Sequence, residues 1–339
     1  MVRTIAVDPS SPDVATIHEA ARLLRGGGLV AFPTETVYGL GARGLDGACV
    51  RRIFAAKGRP GTHPLILHVT DLAMAALLVR SPADLEPFAR RFWPGPLTLV
   101  AERSALVPPE ITGGGETVAL RAPSHPVALA LLRALGEPIA APSANRYQTL
   151  SPTLASHVLK SLGDAVDLVL DGGACPEGLE STVLDVTASP PRVLRPGALP
   201  LALLREVDPR VEYIQTTVAV GPRASPGLDA RHYAPRIPLR LASSAAELLA
   251  NIASARGRGG RVAVLARDGD IRALGPAVSS LASLVSRLPD EPIPCAAALY
   301  AALHAIEDAD TTEIHALLPP DADPWTPIRD RLLRASHPG

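Results

Sequence analysis

Lysine is almost missing from this chain. Of its 33 basic residues only Lys57 and Lys160 are lysines, and arginine supplies the rest. Where arginine meets every generic need for positive charge, a lysine among glycines hints at a compact ammonium charge; chance placement is the bland alternative. Cysteine is scarce as well: Cys49, Cys175 and Cys295 lie far apart with no C-x-x-C pair. That excludes a disulfide framework and a zinc site, and reads as free thiols in a reducing compartment. No apolar run approaches the ~18 residues needed to span a membrane. The opening residues, Met1 to Asp8, lack the apolar core of a signal peptide, so a cytoplasmic protein is expected. With 34 acidic residues the formal net charge is -1, which argues against a protein that coats nucleic acid, though not against a local basic groove. There is no G-x-x-x-x-G-K-S/T run, so any triphosphate must be held by something other than a P-loop. No H-E-x-x-H or Cys/His cluster supports a permanent metal, and no Ser/His/Asp or Cys/His arrangement stands out for covalent catalysis.

What is present supports a full core. The 339 residues suffice for two domains, and an apolar fraction of 47% argues against global disorder. The stretch around which the chain is organised runs from Leu29 to Ala42, followed closely by Lys57-Gly-Arg-Pro60. Leu29 to Phe32 reads as a buried strand that stops at Pro33. Thr34, Glu35, Thr36 and Tyr38 then place polar tips at the strand end. Asp46 caps a predicted helix over 47–56, which delivers Lys57 and Arg59 to its far end. Asp13 likewise opens a helix to Arg25, with Ile17, Ala20, Ala21 and Leu24 on one face and Gly26 to Gly28 closing it.

Further strands are expected over 65–69, 97–100, 117–121, 168–171, 181–186 and 193–195. Helices are expected from Ser81 to about Trp93 and from Ser124 through Leu135. Pro138 to Asn145 repeats the opening design: a short apolar strand, a proline, then small polar residues. Strands and helices do not strictly alternate, so a twisted, mixed α/β sheet is expected rather than a purely parallel doubly wound one. A boundary falls after Val207. Residues 208–236 have no sustained apolar period and read as a linker. Residues 237–339 read as a smaller Rossmann-like α/β domain, with a βαβ-like unit over 239–265, a helix over 295–306, a strand over 313–318 and a final helix near Ile328.

Some of these residues carry chemistry. Gly39-Leu-Gly-Ala-Arg-Gly44 is a literal G-x-G-x-x-G between a strand and a helix, and taken alone suggests a dinucleotide site with Asp71 as ribose partner. Against it, Thr34 to Thr36 crowd the strand end and Asp46 would sit near a bound phosphate. Lys57 and Arg59 fit either macrodipole complementation at a helix end or a phosphate clamp, the lysine a point charge and the arginine a bidentate fork. His63 is a ligand or an ordinary loop residue. Arg121, at a strand end, suits a carboxylate partner; a surface ion pair is the alternative. For Ser151, capping of the following helix is by itself a full explanation. Ser143-Ala-Asn145, Glu180-Ser-Thr182 and Arg195-Pro-Gly197 repeat the theme of polar groups at strand ends. The residues alone describe a cation-lined pocket for a phosphorylated ligand and a small carboxylate, and leave the reaction unnamed.

Six motifs in one order extend that reading. They are Phe32-Pro-Thr-Glu-Thr-Val-Tyr-Gly-Leu-Gly-Ala42, Lys57-Gly-Arg-Pro60, Phe92-Trp-Pro-Gly-Pro-Leu-Thr98, Ala141-Pro-Ser-Ala-Asn145, Glu180-Ser-Thr-Val183 and Leu194-Arg-Pro-Gly197. Together they resemble the threonylcarbamoyl-AMP synthase family, with its YrdC-like fold, over residues 13–207. His232-Tyr-Ala-Pro235 and the domain after it resemble the longer, two-domain branch. The resemblance implies a catalytic domain over 1–207, a linker or lid over 208–236 and a C-terminal domain over 237–339. It implies a nucleotidyltransferase that forms threonylcarbamoyl-adenylate and pyrophosphate from L-threonine, bicarbonate and ATP with Mg²⁺. The adenylate would feed N6-threonylcarbamoyladenosine synthesis in tRNA through a separate transferase, so stable tRNA binding is not required.

The same resemblance implies catalytic and nucleotide roles for Lys57, Arg59, Ser143 and Asn145. It adds ATP contacts at Thr117, Ser151, Arg195 and Tyr233, and threonine contacts at Thr34, Thr36, His63, Arg121 and Ser181. Three departures stand out: Tyr147-Gln148 replaces a Ser-Gly pair, Leu228-Asp-Ala230 replaces a more basic segment, and His63 stands where asparagine is common. Threonine carbamate must attack the α-phosphorus, so cations at Lys57, Arg59, Arg121 and Arg195 would offset the repulsion of two anions and the charge of departing pyrophosphate. Closure of the linker, with Tyr233 over the nucleotide, would keep water from a hydrolysable adenylate. The fold also serves as an RNA-binding module and as a carbamoyl-transfer domain in hydrogenase maturation. A pure RNA binder is expected to be strongly basic, which this chain is not. The maturation enzyme carries zinc fingers, which three scattered cysteines exclude.

Overall fold

A computed structural model describes residues 2–213 and 231–338, so most of the expected linker, Leu228 to Ala230 included, lies outside the described residues. The described chain forms two compact units: residues 2–213 without 148–150, and residues 148–150 with 231–338. The first unit is built on eleven strands: β1 (Arg3–Ala6), β2 (Val30–Phe32), β3 (Gly39–Arg43), β4 (Ile66–His68), β5 (Leu97–Glu102), β6 (Thr117–Arg121), β7 (Ile139–Ala140), β8 (Leu168–Asp171), β9 (Thr182–Asp185), β10 (Arg192–Arg195) and β11 (Glu212–Tyr213). Its helices are α1 (Val14–Arg25), α2 (Gly47–Lys57), α3 (Leu72–Ala76), α4 (Glu86–Phe92), α5 (Pro109–Thr112), α6 (Pro126–Leu135), α7 (Ala155–Leu162) and α8 (Leu201–Val207). The strands join in the order β1-β8-β2-β3-β7-β4-β6-β5-β9-β10-β11. Pairing is mixed: β4/β6 and β5/β9 are parallel, while β2/β3, β3/β7, β4/β7 and β5/β6 are antiparallel.

Local chemistry sets the main helices. Asp13 accepts from the Thr16 amide at the start of α1, and Asp46 accepts from the Ala48 and Cys49 amides at the start of α2. Gly58, at φ 63°, closes α2 in the left-handed conformation that favours glycine. The helix expected from Ser81 is instead a 3-10 turn, Pro82–Asp84, followed by α4; Pro87 lacks an amide proton and fits only the first turn. The cap of α6 is His125 rather than Ser124.

The G-x-G-x-x-G run is not a phosphate loop. Gly39–Arg43 is strand β3, with Val30 opposite Gly41 on β2. A Cβ on Gly41 would lie 2.8 Å from the Phe32 ring and 3.1 Å from the Val30 carbonyl, so this glycine makes room for packing. The helix N-terminus that a pyrophosphate would use is taken by the Asp46 carboxylate. Asp71, the ribose partner such a site would need, caps α3 through the Met74 amide.

The two faces of the sheet are covered unequally. On one, apolar residues of α2, α4, α7 and α8 pack over Leu40, Leu67, Leu99, Leu120 and Leu184. On the other, α1 and α6 pack over Val30, Phe32, Ile139, Leu168 and Leu170 of β2, β7 and β8. Beyond them, on β4, β6, β5 and β9, lies a small cluster of Ile66, Ala119, Val100 and Val183, all strand residues. Side chains alternate along a strand, so this face also takes His68, Thr98, Thr117 and Arg121.

The second unit is a parallel sheet of β12 (Leu239–Ala242), β13 (Val262–Arg267), β14 (Leu284–Leu288) and β15 (Glu313–Leu317), ordered β12-β15-β13-β14. Around it stand α9 (Ala245–Gly257), α10 (Asp268–Leu274), α11 (Pro276–Leu281), α12 (Pro292–Asp308) and α13 (Thr326–Ser336). Ser244 caps α9, and Leu248, Ile252 and Ala255 pack on Val262, Val264 and Ala266. Segment 148–150 joins this unit through a parallel bridge between Thr149 and Ala234, where the Ala234 amide donates to Gln148 O at 2.9 Å. All three cysteines are free and buried. Among the described residues no helix is long and apolar enough to cross a membrane. Gly41→Ala is expected to lower stability by about 1–3 kcal/mol through overpacking against Phe32. An unchanged urea midpoint would refute the packing role.

Candidate active site

Beyond Phe32 the chain turns at Pro33 and ties itself to a cation. Thr34 Oγ1 donates to Val37 O at 2.7 Å and lies 2.8 Å from Thr36 Oγ1. Its single proton is committed to Val37, so Thr36 donates to Thr34. Thr36 in turn accepts from Arg121 Nη1 at 2.8 Å. A one-way relay therefore runs from the guanidinium at the end of β6 to a backbone carbonyl, and it fixes the whole turn. Tyr38 adds an anchor, its hydroxyl donating to Gly173 O at 2.7 Å.

Arg121 is not the surface ion pair that was the alternative. Its Nη2 stands 2.7 Å from Glu35 Oε1, with both side chains 5% exposed. The contact is close but not aligned as a hydrogen bond: neither Glu35 oxygen has a donor, and Arg121 Nε and Nη2 have no acceptor, among the described residues. His68, the register partner of Arg121 on β4, is buried, and its pKa is pushed down to about 3 by that burial and by the Arg121 charge. Burial pushes the Cys175 thiol up to about 12. Partial burial, helped by the Glu35 charge, raises the Glu177 carboxyl, while burial lowers His125 against the pull of Glu35.

Lys57, the last residue of α2, turns inward. Its ammonium donates to the carbonyls of Ser143 and Asn145, with Asn145 Oδ1 at 3.5 Å. Burial, and the nearby Arg59 charge, hold its pKa well below the ordinary lysine value. The lysine thus ties the Ser143–Asn145 turn to the helix end. Arg59 Nη2 donates to Pro64 O at 3.1 Å, and its guanidinium lies 5.7 Å from the Tyr147 ring centroid. Tyr147 also meets His63 edge-on at 5.3 Å, so two of the family departures touch each other.

A third buried cation holds the Glu180–Thr182 turn. Arg195 donates to Ser181 O from Nε at 3.2 Å and from Nη2 at 2.9 Å, with Ser181 Oγ 3.2 Å from Nη2. Thr98 Oγ1 pairs with Ser181 Oγ at 2.7 Å. A Cβ on Gly197 would lie 2.3–2.4 Å from the backbone of Glu180 to Thr182, so only glycine admits this approach. Ser151 is not a helix cap: α7 begins after Leu154 without a side-chain cap, and Ser151 Oγ donates to Glu180 Oε1 at 2.5 Å.

The expected site residues are thus gathered in three knots: Thr34, Thr36 and Arg121; Lys57, Ser143 and Asn145; Arg195 and Ser181, with Ser151 joined to the last through Glu180. Thr117 stands apart at the start of β6, four residues from Arg121 on the same face, or about 13 Å at the usual strand rise. Since β7 runs antiparallel to β4, the Ser143 turn lies at the Thr117 end of that face. Tyr233 packs within the second unit, 4.0 Å from the His232 ring, 6.0 Å from Tyr300 and 4.9 Å from the Arg331 guanidinium. The sequence reading gave no role to Glu35, His68, Thr98 or Glu180. Glu35 and Glu180 left a signal as charged residues among hydroxyls at strand ends, and Thr98 as the last residue of the Phe92–Thr98 motif.

Comparison with known proteins shows the family to which this fold belongs. The Sua5/YciO/YrdC family model, described as telomere recombination, matches residues 22–197, and a model described as threonylcarbamoyl-AMP synthase, C-terminal domain, matches 201–337. The threonylcarbamoyl-AMP synthase of Bacillus subtilis is 37% identical over 97% of this chain and 95% of its own. That of Pyrococcus abyssi is 48% identical over 65% of each chain, so this alignment spans just under two thirds of that relative. The crystal structure of P. abyssi Sua5 complexed with L-threonine matches 99% of this chain and 97% of its own, with a TM-score of 0.90 and 36% identity. Escherichia coli YciO matches 58% of this chain and 96% of its own, with a TM-score of 0.52 and 27% identity. The chain belongs to the threonylcarbamoyl-AMP synthase family, in its two-domain form.

Two outcomes follow from the buried groups. Lys57→Met strips the donor from two buried carbonyls and should cost about 3 kcal/mol in urea unfolding, with no rescue by Lys57→Arg, whose planar fork cannot replace a point charge. His68 titrates near 6.5 when unfolded and about 3 when folded. The unfolded state therefore binds the extra proton first, and stability should fall as pH drops from 6.5 toward 3, by up to about 1.4 kcal/mol per pH unit. His68→Gln should flatten that slope in unfolding curves taken between about pH 7 and 4.

Proposed function

We propose that this chain is a nucleotidyltransferase that forms threonylcarbamoyl-adenylate and pyrophosphate from L-threonine, bicarbonate and ATP. The observation that carries the reading is that three cation-held turns border the β4-β6-β5-β9 face of the first sheet, the Arg121 and Ser181 turns at one end and, by strand register, the Ser143 turn at the other. The apolar floor of that face, Ile66, Ala119, Val100 and Val183, lies between Arg121 at one end of β6 and Thr117 at the other. L-threonine fits the Arg121 end, where Thr34, Thr36 and Ser181 offer hydroxyls and the guanidinium offers charge to a carboxylate. That the P. abyssi protein is complexed with L-threonine supports threonine as the substrate.

ATP fits the other end, by Thr117, Arg59 and the Ser143–Asn145 turn, and enters as its magnesium complex with the ion carried on the phosphates. In the chemical step a carbamate oxygen attacks the α-phosphorus and the bond to the β-phosphate breaks, releasing pyrophosphate. Both partners are anions, so Arg59, Arg121 and Arg195 offset their repulsion in a site where water is scarce and charge interactions are strong. Lys57 acts by fixing the Ser143–Asn145 turn. The adenylate then passes to a separate tRNA threonylcarbamoyl transferase in the cytoplasm.

Pyrophosphate release from ATP should require both L-threonine and bicarbonate, and omission of either should reduce it to background. Release that persists without threonine would overturn the proposal.

A further inference from the structure

We propose that Glu35 receives the amino group of the bound amino acid and takes the proton that this group must lose on carboxylation; the inference rests on the synthase reading above. The turn that carries Glu35 is fixed on both sides, by Thr34 and Thr36, yet its own carboxylate is left over. The side chain is 5% exposed, and both oxygens lack a hydrogen-bond donor among the described residues. Leaving buried polar atoms unmatched is costly, and more so for a charge.

Arg121 shows the complementary shortfall at Nε and Nη2. A purely structural Arg–Glu pair gains most by closing on itself as a two-pronged fork. This pair stands at 2.7 Å without doing so. One guanidinium and one carboxylate, adjacent and each with unused capacity, complement a ligand that carries a carboxylate and an ammonium on the same carbon.

The surroundings keep Glu35 available as an acceptor. Arg121 of β6, His125 at the start of α6, and Cys175 and Glu177 beyond β8 all interact with it electrostatically. Burial favours neutral His125, and the Cys175 thiol stays protonated at neutral pH. Arg121 is then the cation that offsets Glu35, and Glu177 adds a second negative charge that a proton or an ammonium would relieve.

The step balances as follows. The substrate ammonium and bicarbonate give carbamate, water and one proton: the N–C bond forms and one C–O bond of bicarbonate breaks. The departing oxygen leaves as water with one of the nitrogen's protons and bicarbonate's own. The remaining proton goes to the Glu35 carboxylate.

The test compares L-threonine with 3-hydroxybutanoate, which is threonine without its amino group, by titration calorimetry on the full chain. Wild type should bind 3-hydroxybutanoate about tenfold more weakly or worse, because the acceptor is then left unmatched. Glu35→Gln should lose about tenfold or more toward L-threonine while 3-hydroxybutanoate affinity stays nearly unchanged. Equal affinities in wild type, or equal losses for both ligands in Glu35→Gln, would reduce Glu35 to a support for Arg121 and overturn the inference. The wild-type comparison stands even if the variant does not fold. Threonine- and bicarbonate-dependent pyrophosphate release from the same preparation separates failure of this inference from failure of the synthase reading.

Discussion

Positive charge buried at the rim of a sheet is tolerable only where fixed acceptors surround it, and that constraint shapes the site of this protein. Lys57 donates to the carbonyls of the Ser143–Asn145 turn, Arg121 donates from Nη1 to Thr36 and stands beside the Glu35 carboxylate, and Arg195 donates to Ser181. Each cation comes from one element and each set of acceptors from another. Removing one partner of such a contact leaves an uncompensated charge or unmatched carbonyls, a penalty of about 3–5 kcal/mol in the worst case. The turns around the site are therefore held by the same groups that give it its electrostatic character. Little reorganisation is left for the moment of reaction.

The unequal covering of the sheet does the rest. The helices α1 and α6 pack over β2, β7 and β8, and on the face formed by β4, β6, β5 and β9 the apolar cluster among the described residues is small, with polar groups around it. Strand alternation then places every second residue of β6 on that floor or at its ends: Thr117, Ala119 and Arg121. A small ligand and a long one can lie end to end over a surface of this kind, each gripped at its own rim. Parallel pairing of β4 with β6 brings His68 beside Arg121, and burial keeps the imidazole from adding a second cation there.

What could be read from the chain was what is determined locally. Asp13 and Asp46 were legible as caps because a cap acts within three residues. Val30 to Phe32 and the strands ending at Arg121 and Asp171 were legible because their apolar runs stop at prolines or charges. The short elements β1, β11, α3, α5 and α8 left no periodic signal long enough to detect. The Gly39–Gly44 run matches a phosphate loop only in isolation, because its meaning is set by a distant partner, Phe32 packing over Gly41. For Ser151 the cap pattern is local, but Glu180 claims the hydroxyl from 29 positions away. The rarity of lysine drew attention to Lys57, which the structure buries. It gave no hint that the ammonium would face carbonyls of its own chain.

That inward-facing ammonium has a practical consequence. Lys160, the other lysine, is exposed on α7, whereas Lys57 is 3% exposed and hydrogen-bonded. Amine-directed reagents applied to the folded chain can therefore reach the Lys160 side chain and must spare that of Lys57 until the end of α2 parts from the Ser143–Asn145 turn. The slow appearance of label on Lys57 becomes a clock for the opening of the site, read by mass spectrometry on the unaltered protein.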